Sequence, residues 1–106
     1  MTDFLWVYVP HPEKSKAIEL AKTLTKEKLI ACANIMDQIT SVYEWKGEIC
    51  EEGESLILMK TQKVRFEILS SRIKELHPYE CPCIIGLPIE TGNEEFLDWV
   101  KSQTQS

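Results

Sequence analysis

The sequence predicts an α+β fold in which helices cover one face of an antiparallel β-sheet. Three segments place apolar residues at helical spacing, and four others are extended and rich in β-branched or aromatic residues. Lys46-Gly47 separates two of the extended segments. This pair predicts a β-hairpin, because glycine readily adopts the positive φ of a tight turn. The 106 residues suffice for one domain, which we place over residues 1–106.

The first strand is predicted over residues 4–9, and His11-Pro12 ends it. Pro12 suits the first turn of the helix that follows, where a missing amide hydrogen costs little. The helix should extend to about Lys28, because apolar residues recur through it at helical spacing. These residues are Ala17, Leu20, Ala21 and Leu24.

A long β-hairpin is predicted next, with arms over residues 30–48 and 48–60. We expect a polar bend at Asp37-Gln38 in the first arm and a bulge at residues 51–53 in the second. At about 3.3 Å per residue, arms of roughly 15 residues are about 50 Å long. A compact domain of this size has a radius of gyration of only about 13 Å. Part of the hairpin should therefore project beyond the core.

The second helix is predicted to begin near Thr61, a possible N-cap. Its apolar stripe predicts the face that packs on the sheet. The stripe consists of Phe66, Leu69, Ile73 and Leu76.

The last strand is predicted over residues 83–89, where Pro82 and Pro88 bracket it. Thr91 and Glu94 then stand at capping-box spacing and predict the start of a short third helix. We expect a polar tail over about 102–106 after this helix. Its apolar anchors are Phe96, Leu97 and Val100.

The predicted order β-α-β-β-α-β, with a terminal helix, is the ferredoxin-like split βαβ arrangement. Residues 56–59 read Leu-Ile-Leu-Met and are apolar on both faces of their strand. One face can meet the helices, but the other needs a cover that a single chain does not supply. Projecting strand edges also pair with other strands. A symmetric homo-oligomer satisfies both demands, and the alternative is a modest exposed patch.

Charge and composition exclude several classes of partner. The chain has 17 acidic and 12 basic residues and a formal net charge of -5, whereas a nucleic-acid binder needs a basic footprint. Residues 1–10 lack the charged start and long apolar core of a signal peptide. No apolar run approaches the ~20 residues that span a bilayer. We therefore expect a cytoplasmic protein whose four cysteines are thiols.

The segment that begins at His77 reads His-Pro-Tyr-Glu-Cys-Pro-Cys and is the strongest candidate for chemistry. Its prolines favour a stiff, extended backbone, in which His77, Tyr79, Cys81 and Cys83 would share one face and Glu80 the other. Thiolates beside an imidazole suit Cu(I) and Zn(II), and Glu80 could assist His77 as a metal ligand. A closed zinc site would need a second pair of ligands, which is missing here. The alternative is a rigid lead-in to a strand with buried cysteines that act as small hydrophobes.

A second candidate is a cleft for a small molecule or anion. Lys60 ends an apolar strand just before a predicted helix N-terminus, where an anion would be favourable. Aromatic residues on hairpins are more often packing residues, which leaves the cleft as one of two alternatives. The candidate cleft residues are Tyr43, Trp45, Lys60 and Tyr79.

An enzyme on the same fold, such as an acylphosphatase, is disfavoured. That chemistry needs an arginine in a phosphate-binding loop after the first strand. The chain has only Arg65 and Arg72, which both lie in the predicted second helix. We therefore expect no enzymatic activity and no required cofactor.

Four local motifs together span nearly the whole chain. They are Leu29-Ile30-Ala31-Cys32-Ala33-Asn34-Ile35, Thr40-Ser41-Val42-Tyr43-Glu44-Trp45-Lys46-Gly47, Lys60-Thr61, and His77-Pro78-Tyr79-Glu80 followed by Pro82, Ile84, Ile85, Leu87, Pro88 and Ile89. With the order of elements, these motifs resemble the CutA family, the divalent-cation tolerance proteins.

The resemblance implies a tight homotrimer whose long hairpins form the contacts between subunits. It implies tolerance or binding of a divalent metal such as copper, without an established reaction. Similarity of the family to PII-type signalling proteins implies an alternative, a regulatory module that binds a small anionic ligand between subunits. Cys32 fits the family's recurrent cysteine position, as a core residue or as a metal or redox residue. Cys81 and Cys83 depart from the family pattern, so a metal role for them is particular to this chain.

Overall fold

A computed structural model describes residues 3–105 and confirms the predicted order of elements. The four strands form one antiparallel sheet in which the second strand of the chain lies at one edge, followed by the third, the first and the fourth. None of the helices described is long and apolar enough to cross a membrane. The elements are β1 (Phe4–His11), α1 (Lys14–Lys26), β2 (Cys32–Trp45), β3 (Glu48–Gln62), a 3₁₀-helix (Lys63–Arg65), α2 (Phe66–Leu76), β4 (Ile85–Pro88) and α3 (Glu94–Gln103).

The core lies between one face of the sheet and the apolar faces of α1 and α2. Strand residues at alternating positions supply the sheet side, because successive side chains of a strand point to opposite faces. The helices supply leucine and isoleucine at helical spacing. Fully buried members of this core are Val7, Val9, Leu24, Ile57, Met59, Leu69 and Ile73.

The tight turn of the hairpin is confirmed at Lys46 and Gly47, whose φ angles of 51° and 80° are both positive. Two consecutive positive φ angles match the right-handed twist of the two strands that the turn connects. The strands pair from Trp45 and Glu48 at the turn to Cys32 and Lys60 at the opposite end.

The irregularity of the hairpin lies in β2 and not at residues 51–53, where the bulge was expected. Residues 51–53 pair regularly with residues 40–42, whereas Asp37 and Gln38 fall between paired positions, and Gln38 has a φ of 58°. The Asp37 carboxylate accepts hydrogen bonds from the Gln38 amide at 2.9 Å and from the Ser55 hydroxyl at 3.0 Å. These bonds give partners to polar groups at the point where the regular strand pairing is interrupted. The predicted bend at Asp37-Gln38 is confirmed.

Two predicted helix starts are wrong, because Thr61 belongs to a strand and Pro12 lies before the N-cap of its helix. Thr61 is a fully buried strand residue whose hydroxyl donates to the Leu29 carbonyl at 2.7 Å. It therefore does not cap α2, which begins at Phe66 after the 3₁₀-helix. Pro12 precedes Glu13, the N-cap residue of α1, and so lies outside the first turn.

The C-terminal part also differs from the sequence prediction. The last strand is shorter than expected, because it pairs only with residues 5–8 of β1. Leu76 and Phe96, expected to be buried, are 40% and 41% exposed. The predicted polar tail is helical as far as Gln103, and Thr104 is fully buried. Residue 106 lies outside the described residues.

Thr104 is buried because its polar groups have partners. The Arg65 side chain donates from Nε to the Thr104 carbonyl at 2.6 Å. The Gln62 amide donates to the Thr104 hydroxyl at 2.9 Å, and that hydroxyl donates to the Val100 carbonyl at 2.8 Å. The end of α3 is thereby attached to the end of β3 and the 3₁₀-helix.

The segment over residues 56–59 is apolar towards both sides of the sheet, as predicted. Ile57 and Met59 face the helices and are fully buried. Leu56 and Leu58 alternate with them and belong to the opposite face of the sheet, away from the core cluster that α1 and α2 form with the inner face. This outer face exposes large apolar residues that are between 42% and 52% accessible, namely Trp6, Met36, Ile85 and Leu87.

The N-cap of α3 is Asn93, whose side-chain oxygen accepts from the Phe96 amide at 3.3 Å, and not Thr91. We predict that Asn93→Ala lowers the free energy of unfolding by about 1 kcal/mol, because an amide of the first turn loses its partner. The matched change Thr91→Ala should have little effect. Urea unfolding of both variants tests this, and a larger loss for Thr91→Ala would contradict the assignment.

Candidate functional site

The two histidines of the chain form a buried pair at the end of β1 and the end of α2. Their ring centroids are 4.9 Å apart, and both residues are more than nine-tenths buried. His77 Nδ1 accepts from the Tyr79 amide at 3.1 Å, and its Nε2 donates to the Pro10 carbonyl at 2.9 Å. His11 Nδ1 accepts from the Glu13 amide at 3.1 Å. Both ring nitrogens of His77 are therefore engaged by backbone groups.

The environment of His11 favours its neutral form. Burial is the main reason that its pKa is lowered from 6.5, and the adjacent His77 lowers it further. Glu13 and Glu54 act in the opposite direction but do not reverse the shift. A neutral ring keeps Nδ1 available as an acceptor for the Glu13 amide.

Tyr79 connects the histidine pair to the hairpin. Its ring centroid lies 4.8 Å from that of His77, and its hydroxyl donates to Glu54 at 2.7 Å. Ser41, on β2, donates to the other oxygen of Glu54 at 2.5 Å. Burial, followed by the hydrogen bond to Glu54, raises the pKa of Tyr79 to about 12. The segment after α2 is thus fastened to both strands of the hairpin.

The residues predicted to bind metal are not brought together within one chain. Glu80, Cys81 and Cys83 are exposed, whereas the His77 ring faces inward. Cys32 is half-buried on β2 opposite Lys60. Across residues 3–105, no group of three His, Cys, Asp or Glu side chains could hold a metal ion. The metal role of this set stays a prediction.

Glu54 also acts on one of the thiols. Burial raises the pKa of the Cys83 thiol, and the negative charge of Glu54 raises it further. A thiol in this environment favours its neutral form.

The four residues predicted to line a ligand cleft lie in three separate places. Tyr43 and Trp45 are on β2 near the turn, Lys60 is near the far end of β3, and Tyr79 follows α2. The Tyr43 hydroxyl donates to Glu52 on the neighbouring strand, and the Tyr79 hydroxyl donates to Glu54. The Lys60 ammonium donates to Asn34, and Trp45 lies near the turn of the hairpin. Two surface cavities of about 450 Å³ are found, and none of the four residues lines either of them.

Two residues of this network, His11 and Glu54, were missed by the sequence analysis. His11 is one of only two histidines, and this scarcity is a signal that could have paired it with His77. Glu54 stands in a run of glutamates in which nothing distinguishes it. Its role depends on the register that places it opposite Ile39, beside the bend in β2.

Comparison with models of protein families tests the resemblance to the CutA family that the sequence motifs indicated. A family model described as "CutA1 divalent ion tolerance protein" matches residues 5–103. The chain belongs to the CutA1 family. The divalent-cation tolerance protein CutA of Thermus thermophilus is 44% identical over 104 residues, covering 98% of this chain and 99% of that protein.

Other CutA1 family members differ in length. The human Protein CutA is 41% identical over 99 residues, which cover 93% of this chain but 55% of the human protein. Solved structures agree in fold: CutA1 of Oryza sativa superposes with a TM-score of 0.95 at 38% identity, covering 98% of this chain and 95% of that one. The Thermus thermophilus structure gives 0.93 at 43% identity, with coverage of 96% and 99%.

The contact between Tyr79 and Glu54 predicts an alkaline titration. A folded-state pKa of about 12, above the ordinary 10.0, means that the stabilisation from neutral Tyr79 is present below pH 10 and lost as the pH rises through about 12. We predict that ultraviolet titration shows this transition and that Tyr79→Phe removes it. Glu54→Gln should lower the midpoint, because a carboxylate no longer opposes the phenolate.

Glu80→Gln is the matched control for this titration, because Glu80 is exposed and is not among the groups that shift the pKa of Tyr79. An unchanged midpoint in Glu54→Gln, or an equal shift in Glu80→Gln, would contradict the proposed contact.

Proposed function

We propose that this chain is a non-enzymatic protein that binds a divalent cation of the copper type as a homotrimer. The observation that carries the proposal is the match of residues 5–103 to the divalent ion tolerance family. Glu80, Cys81 and Cys83 are exposed and therefore accessible to a cation. The described part of one chain holds no cluster of three donors, so a cation with three or more protein ligands would take donors from more than one subunit.

Two features of the sheet support the assembly. Its outer face exposes Trp6, Met36, Ile85 and Leu87, which a neighbouring subunit could cover. Strand β2 is at the edge of the sheet, so no strand from residues 3–105 lies beside one side of its 14-residue backbone. Exposed edges and apolar faces are typical of surfaces that pair between copies. The number three comes from the resemblance to the CutA family.

The absence of an enzymatic role is part of the proposal. The segment between β1 and α1 contains Pro12 and Glu13 and no arginine, which disfavours phosphate chemistry at that position. A cytoplasmic location is likewise proposed. It is supported by four cysteines that are all free thiols, since a reducing compartment preserves them.

The proposal predicts cation binding that is tied to the trimer. Calorimetry with Cu(II) and Zn(II), on protein whose mass is measured by sedimentation, should give a stoichiometry that is constant per trimer. Glu80→Gln should weaken the affinity by about tenfold, because one charged ligand is lost. Glu90→Gln, another exposed glutamate, should leave it unchanged. A monomeric protein, or no heat above the buffer, would contradict the proposal.

A second candidate is the PII-like regulatory module that binds a small anion between subunits. The arrangement that favours it is on the outer face of the sheet, where the Lys60 ammonium donates to Asn34. Lys60 also lies opposite the exposed Trp6 on the neighbouring strand. A cation beside an exposed indole on an apolar face is suited to an anionic ligand with a flat group.

This candidate predicts that ATP or inorganic phosphate raises the melting temperature of the protein and that Lys60→Ala removes the increase. The control is Lys22→Ala on the exposed side of α1, which should retain it. If neither anion changes the melting temperature, or if Lys22→Ala abolishes the increase equally, the Lys60 site is excluded.

A further inference from the structure

Cys81 and Cys83 form a pair of free, exposed thiols with one proline between them. They follow the hydrogen-bonded turn at His77–Tyr79 and precede β4, so both ends of their segment are anchored. The other two cysteines are only half-exposed and lie on the long strands. The chain therefore presents one dithiol at its surface.

Covalent geometry allows the two sulfurs to reach one atom. Two residues of extended chain span at most about 7 Å between Cα atoms. A thiophilic centre with bonds of about 2.3 Å to each sulfur bridges sulfurs that are up to about 4.6 Å apart. A disulfide requires a much closer approach at a fixed dihedral angle, which the restricted backbone around Pro82 opposes. A bridging centre therefore fits this pair better than a direct sulfur–sulfur bond.

The surroundings indicate which centres fit. Within residues 3–105 no third His, Cys, Asp or Glu side chain completes a metal cluster with these thiols. The pair therefore suits a centre that is satisfied by two sulfurs, and thiolates select soft metals. A divalent cation gives a bis-thiolate complex that is neutral overall, whereas a monovalent cation would add a net negative charge to a chain that already has a formal net charge of -5.

We propose that Cys81 and Cys83 chelate a single thiophilic centre, either a soft divalent cation of the Hg(II) type or a trivalent arsenical. A divalent cation replaces the two thiol protons, which are released to solvent. Phenylarsine oxide forms two As–S bonds, and its oxygen combines with the two thiol protons and leaves as one water molecule. Neither step changes an oxidation state.

This site shares two donors with the proposed cation site but needs only one subunit. It therefore rests on the proposed function only through the shared thiols. Glu80→Gln separates the two, because that change should weaken Cu(II) binding and leave the dithiol intact.

The remaining cysteines cannot substitute for the pair. Cys32 is opposite Lys60 and Cys50 opposite Tyr43. Ten residues of β3 separate these positions, which corresponds to about 33 Å along the strand. Cys32→Ser and Cys50→Ser are therefore matched controls for the loss of a thiol without loss of the dithiol.

The first test is the reaction of the reduced full-length protein with phenylarsine oxide, followed by intact mass. One phenylarsenic group should be added per chain, resist excess glutathione and be removed by 2,3-dimercaptopropanol. Cys81→Ser and Cys83→Ser should each lower the retained label by about a hundredfold, because chelation is lost. Cys32→Ser, Cys50→Ser and Glu80→Gln should retain it. Circular dichroism checks that every variant is folded.

The second arm uses Hg(II), followed by its ultraviolet charge-transfer absorbance in the presence of glutathione. Retention of either probe that depends on both Cys81 and Cys83 supports the dithiol, and the probe retained identifies the class of centre. Retention of neither probe overturns the proposal. Equal retention by the single variants also overturns it, because the label would then depend on other thiols.

Discussion

The requirement that β3 be apolar on both of its faces underlies the rest of this structure. Strand β3 pairs with β1 on one side and β2 on the other, so it is the strand through which the hairpin joins the core. Ile57 and Met59 hold it against the helices, while Leu56 and Leu58 belong to the outer face. Burial of apolar area is the dominant favourable term in folding, and Ile57 and Met59 contribute it on the inner face of the sheet. The apolar and partly exposed outer face of the sheet follows from the same arrangement.

The network around the histidines connects this strand to the segment that carries the candidate donors. Glu54 is on β3 and receives hydrogen bonds from β2 through Ser41 and from the segment after α2 through Tyr79. The bend at Asp37 lies two strand positions away and is itself tied to Ser55. The segment that carries Cys81 and Cys83 is therefore joined to the hairpin through the hydrogen bond from Tyr79 to Glu54.

Local signals predicted the elements of the fold well, and non-local contacts account for the differences. The turn at Lys46-Gly47 and the stripes of the helices depend on neighbours in sequence, so the pattern was sufficient. Thr61 has the residue type of a cap, but its hydroxyl reaches Leu29, which no local pattern reveals. The site was less predictable, because the inward ring of His77 depends on Pro10, which is 67 residues away. The chemistry of a residue type was visible in the sequence, but the direction of its side chain was not.

Both ring nitrogens of His77 are hydrogen-bonded to backbone groups, and this affects how substitutions of His77 are interpreted. Removal of the imidazole leaves the Tyr79 amide and the Pro10 carbonyl without partners in a buried region. The segment from Tyr79 onwards would shift, and any exposed donor on it would move as well. A histidine-to-alanine scan could thus abolish the binding of a ligand that the ring never touches. Substitutions at the solvent-facing residues beyond Tyr79 report on ligation without this confusion.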